Sequence, residues 1–80
     1  MINTIAAPVV EIGAVVITYN FDNGILIGYE LTWPLTVNHK DMLAVQIEIS
    51  SFMSHNQVRK LKAVKANGSL VTQEWIVEYA

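Results

Sequence analysis

The stretch Val15-Val16-Ile17-Thr18-Tyr19-Asn20-Phe21-Asp22-Asn23-Gly24-Ile25-Leu26-Ile27-Gly28-Tyr29-Glu30-Leu31 decides how this chain is read. Apolar residues crowd both sides of Asp22-Asn23-Gly24, a run that suits a three-residue hairpin loop closed by a glycine in the left-handed conformation. A loop of that length fixes the pairing: Phe21 faces Ile25, Tyr19 faces Ile27, Ile17 faces Tyr29 and Val15 faces Leu31. These eight residues then share one side of the ribbon and form the expected core, while Asn20, Thr18, Val16, Leu26, Gly28 and Glu30 take the other side.

Working outward, Trp33-Pro34 ends the second strand, because proline cannot donate to a ladder. After the polar turn Asn38-His39-Lys40-Asp41, Leu43, Val45, Ile47 and Ile49 alternate with Ala44, Gln46, Glu48 and Ser50, the pattern of a half-buried strand. Met42, Val45, Ile49 and Phe52 also fit a helical stripe, but the β-branched residues and the strict alternation favour strand. Ser54-His55-Asn56-Gln57 matches a capping box with Met53 and Val58 as a hydrophobic staple, and Arg59 to Ala66 are mostly strong helix formers. A short helix is therefore expected around 55–66. Asn67-Gly68 either stops that helix or makes a two-residue hairpin turn. Leu70 to Tyr79 reads as the last strand. The expected fold is α+β and β-rich, four antiparallel strands in a sandwich or half-barrel with one short helix; the alternative is an all-β chain of five strands.

The chain has 80 residues and no cysteine. A domain so small is marginal alone and usually gains a disulfide, a structural metal or a partner subunit. Disulfides are excluded, and thiolate-based structural zinc with them. Hydrophobic residues make up 52% and charged residues 15%, against about 25% charged in soluble domains, so the apolar surplus needs covering. The longest apolar stretch, Ile5 to Ile17, is too short for a ~20-residue span and is broken by Pro8, Glu11 and Gly13. No base precedes it, which argues against a secretory signal. A soluble, cytosolically made chain is expected, with residues 1–10 as an uncharged N-terminal arm and 11–80 as a single domain. The apolar arm residues Ile2, Ile5, Val9 and Val10 are expected to lie against an adjacent subunit.

Charge is unevenly placed. Residues 1–39 carry Glu11, Asp22 and Glu30 without a base, whereas 40–80 carry five bases and four acids. Arg59, Lys60, Lys62 and Lys65 form the one basic cluster and complete the expected interface; the acidic first half is a ready partner for it in a homo-oligomer. The net charge of −2 argues against nucleic acid as a partner. Ser54-His55 has no nucleophile-elbow context, His39, Asp41 and His55 make only a loose metal pattern, and the four glycines are isolated, so no phosphate loop exists. No enzyme, cofactor, metal or membrane role is expected.

The uncharged arm, the tight hairpin and the strand leading into Ser50-Ser51-Phe52-Met53-Ser54 resemble the small β-rich structural subunits of tailed-phage virions. That resemblance implies a non-enzymatic part of a head, tail or baseplate, located in the virion or in the cytoplasm of a bacterial host. The function expected is a structural subunit of a symmetric assembly. The alternative is a small inhibitor or adaptor that binds one host protein through the basic segment.

Overall fold

The computed structural model describes residues 8–80. Five strands, β1 (Val9–Ile12), β2 (Val15–Asp22), β3 (Ile25–Pro34), β4 (Gln57–Asn67) and β5 (Leu70–Tyr79), form one antiparallel sheet in the order β1-β2-β3-β5-β4. The one helix among the described residues, α1 (His39–Ser51), connects β3 to β4. The chain is β-rich with one helix, but it is not a four-stranded sandwich, and the helix lies elsewhere than the sequence suggests. The alternating segment is α1, and the segment expected to be helical is edge strand β4.

Both exchanges have physical causes. The Asn38 side chain caps α1, its Oδ1 accepting the Lys40 backbone N–H at 2.8 Å, and Asp41 lies in the first turn. A cap and an acid at that end satisfy orphan donors and suit the helix dipole. Of the alternating apolar residues only Val45 and Ile49 are buried, and Met42 is half-buried beside them. The helical stripe, not the alternation, reports the packing. For β4, pairing along β5 overrides helix propensity. Gly68, with φ of +63°, occupies the first central position of a two-residue turn that sets Asn67 opposite Leu70, a place that favours glycine. The expected capping box is half made: the Gln57 side chain does accept the Ser54 backbone N–H at 2.9 Å. That bond closes a turn, with Gln57 N–H donating back to the Ser54 carbonyl, and the chain leaves it extended.

The first hairpin has a two-residue loop, not three. Asn23 and Gly24 both have positive φ, 51° and 78°, so Asp22 faces Ile25 and Phe21 faces Leu26. A bulge at Ile27 then resets the pairing to Asn20 with Gly28, Tyr19 with Tyr29 and Ile17 with Leu31. An unpaired residue flips the side-chain alternation. Val15, Ile17, Tyr19, Tyr29 and Leu31 are therefore buried as expected, but Leu26 replaces Ile25 and Ile27 in the core. Phe21, Ile25 and Ile27 are 36–46% exposed.

Helix α1 lies over β1 and β2 and runs alongside β2. Its first turn sits on the β1–β2 turn, where the Asp41 carboxylate occupies the space a side chain at Gly13 would need. Its far end rests on aromatics, with the Phe52 ring 4.7 Å from Tyr19 and 5.9 Å from Phe21. Val45, Ile49 and the buried residues of β2 and β3, together with Val77 of β5, make up the core. At Gly28 strands β3 and β5 approach so closely that a Cβ would stand 2.8 Å from the Trp75 carbonyl oxygen.

Candidate interaction surface

A helix is about 10 Å across, and five strands spaced ~4.8 Å span about 19 Å from β1 to β4. With α1 over β1 and β2, the half of the same face formed by β5 and β4 has no helix above it. The register fixes what that half presents. On β5 it is Val71, Gln73, Trp75 and Tyr79; on β4, Arg59 and Leu61, then Val64 and Ala66 after the bulge at Lys62, while Val77 and Gln57, on the same side near the start of β4, are already buried. Arg59 is the single charged residue among these. Leu61 and Val64 are exposed, and Trp75 is half-buried, its ring stacked on Tyr29 with centroids 6.0 Å apart.

The opposite face of the β4–β5 ribbon carries the charges. Lys60 pairs with Glu78 at 2.9 Å, and Lys65 and Lys62 flank Glu74 at 3.4 and 3.8 Å. These pairs are exposed and contribute little stability; they show which side meets water. The same two strands thus hold an ion-paired face and an almost uncharged face. The basic cluster expected from the sequence is divided accordingly. Lys60, Lys62 and Lys65 belong to the ion-paired face, and Arg59 to the other.

Arg59 is held in place. Its guanidinium donates to the Tyr29 hydroxyl at 3.3 Å, and among the described residues it pairs with no carboxylate. Burial raises the Tyr29 phenol above its ordinary pKa, while the Arg59 hydrogen bond and charge pull it back. Beside Arg59 a groove of about 410 Å³ opens between the end of α1 and the start of β4, lined by Ser50, Met53, Ser54, His55, Gln57 and Val58. Gln57 closes its base, buried, with its amide donating to the Leu26 carbonyl at 3.1 Å.

The other candidate residues do not converge. His39 and Asp41 stand at the start of α1 and His55 beyond its end, separated by the length of a 13-residue helix, roughly 20 Å. Among the described residues no three His, Asp or Glu side chains gather to hold a metal, so the loose metal pattern is not assembled. Ser54 and His55 are exposed loop neighbours. Val9 and Val10 lie in β1, paired with Thr18 and Ile17 of the same chain; Ile2 and Ile5 fall outside the described residues. No described helix is long and apolar enough to cross a membrane.

The sequence reading also missed a second apolar surface. Leu43 and Ile47, 53% and 74% exposed, stand four residues apart on the side of α1 turned away from Val45 and Ile49. Read as a strand, they counted as core; only helical geometry brings them outside. Compared with known proteins, the chain matches no family model, no curated protein and no solved structure.

Proposed function

We propose that this chain is a non-enzymatic structural subunit that associates through the uncovered half of its helix-side face. One observation carries this reading: the β4–β5 ribbon gathers every charge but Arg59 on one face and presents Leu61, Val64 and Trp75 beside Arg59 on the other. An apolar centre containing Trp, Tyr and an oriented Arg is the composition of protein interfaces and of their energetic hot spots. Covering it adds to the limited core that a chain of 80 residues can bury alone. The resemblance to small phage virion subunits gives the reading its setting, a head, tail or baseplate in which each copy is ordered by its neighbours.

Sedimentation velocity from nanomolar to tens of micromolar tests it. A mass that rises with concentration above the 8.9 kDa chain is expected. A monomer throughout that range, joined by capture of one stoichiometric partner from a bacterial lysate, overturns self-assembly in favour of an inhibitor or adaptor.

A further inference from the structure

We propose that two copies of the chain join about a two-fold axis parallel to the strands, each placing its α1 over the β5–β4 half of the other's sheet. The proposal rests on the reading of the chain as a self-associating subunit and names its partner, a second copy.

Two unpartnered surfaces stand on one molecule. The uncovered sheet half is as wide as one helix, and α1 exposes a second apolar stripe, Leu43 and Ile47, facing away from its own sheet. A two-fold axis along the strands, in the plane of the helix layer, brings these surfaces together twice. The helix of one copy then has its own β1–β2 beneath it and the partner's β5–β4 above. The partner's helix fills the reciprocal place, giving three layers: sheet, two helices side by side, sheet. The contact is isologous and closes on itself.

The levels along the axis match, because such a two-fold preserves position along the strands. Phe52, at the end of α1, packs on Tyr19, and Tyr19 is in register with Tyr29, Trp75 and Leu61 across the sheet. Asp41, in the first turn, lies at Gly13, near Val15, whose end of the sheet carries Val71 and Ala66. Ile47, five residues or about 7.5 Å before Phe52, therefore meets the level of Val64 and Gln73, and Leu43 that of Ala66 and Val71.

Charge is complementary at the same place. The last turn of α1 holds no basic residue of its own, so cations near its negative end must come from outside the helix, and Arg59 of the same chain lines the groove beside Ser50. Arg59, the lone charge on the receiving face, stands one pair beyond Leu61 toward that end and meets no carboxylate among the described residues of its own chain. In the two-fold it faces the carboxyl-terminal turn of the partner's α1.

The chain has no cysteine, so single substitutions report contacts cleanly. Ile47→Cys and Val64→Cys chains, each checked by circular dichroism, are mixed in equal amounts and treated with a short bismaleimide. A cross-linked product of twice the chain mass is expected from this mixture and not from Ile47→Cys mixed with Ile25→Cys, which lies outside the proposed contact. Ile47→Glu is expected to raise the dissociation constant of the dimer at least tenfold while leaving the circular dichroism unchanged. Equal yields from both mixtures, or no product from the first, overturn the proposed geometry. If the wild-type chain still sediments as an oligomer in that event, self-assembly stands and this interface falls; a wild-type monomer at tens of micromolar removes both.

Discussion

Replacing Tyr19 by Phe should stabilise the chain. Tyr19 is fully buried at the centre of the sheet, between the rings of Phe52, Phe21 and Tyr29, and its hydroxyl has no hydrogen-bond partner. A buried hydroxyl without a partner costs about 1–3 kcal/mol, whereas deleting one oxygen leaves the ring and its contacts in place. The expected gain is about 1 kcal/mol, which in a domain of this size raises Tm by roughly 4–8 °C. A second signature lies in alkaline solution. The Tyr19 phenol is pushed up to about 12, chiefly by burial, with the Glu48 charge and Tyr29 adding to the rise. The folded state therefore keeps a proton that the unfolded chain sheds near pH 10, so stability is full below pH 10 and falls as pH rises toward 12. Each unit is worth roughly 1.4 kcal/mol, and Tyr19→Phe should remove much of this fall, leaving the part due to Tyr29. Urea denaturation at pH 7, 9, 10 and 11, followed by circular dichroism, measures both effects. A loss of more than 1 kcal/mol at pH 7, with the alkaline fall unchanged, would show that the hydroxyl is satisfied and would refute the reasoning.

Three further outcomes test the architecture. Ile17→Ala should cost ~2–5 kcal/mol, as buried truncations do, while Ile25→Ala should cost under about 1 kcal/mol; comparable urea midpoint shifts would restore the three-residue loop. Gly28→Ala forces a Cβ to within 2.8 Å of the Trp75 carbonyl oxygen, so β3 and β5 must part. A loss of ~1–3 kcal/mol is expected, with faster hydrogen exchange at both strands, and wild-type exchange would contradict the close approach. Asn38→Ala removes the cap of α1 and should cost about 1 kcal/mol in thermal unfolding; an unchanged Tm would mean that the cap contributes nothing.

Much of the sheet was legible in the residues. Asp22-Asn23-Gly24 announces a hairpin, though not its loop length, Trp33-Pro34 ends β3, and Leu70 to Tyr79 gives β5, because turn chemistry and β-branched runs act locally. Register was not legible, since the bulges at Ile27 and Lys62 each shift the alternation by one residue and neither position carries a signal of its own. The bulge at Lys62 also explains why lysine and apolar residues look mixed along 58–66. Counted from either side of it, the faces of β4 separate cleanly. The segment 42–52 satisfied two periods at once, and the choice was made by packing on β1 and β2, which lie far off in sequence. For the candidate surface, Arg59 stood out by its charge. Leu61, Val64 and Trp75 could be recognised as a face only once α1 was known to cover the other half of the sheet.

The placement of lysines and a bulge along β4 bears on how the protein behaves when concentrated. β4 is the long outer strand of the sheet, and an unprotected strand of that kind templates fibrils by recruiting further strands to its open edge. One extra residue at Lys62 bends the ladder midway, and Lys60, Lys62 and Lys65 crowd any incoming backbone with charge. At the other border β1, among the described residues, offers four, a short platform for addition. Growth by adding strands to β4 is hindered by that bulge and those charges, so concentrated solutions of this chain should resist seeding through this edge.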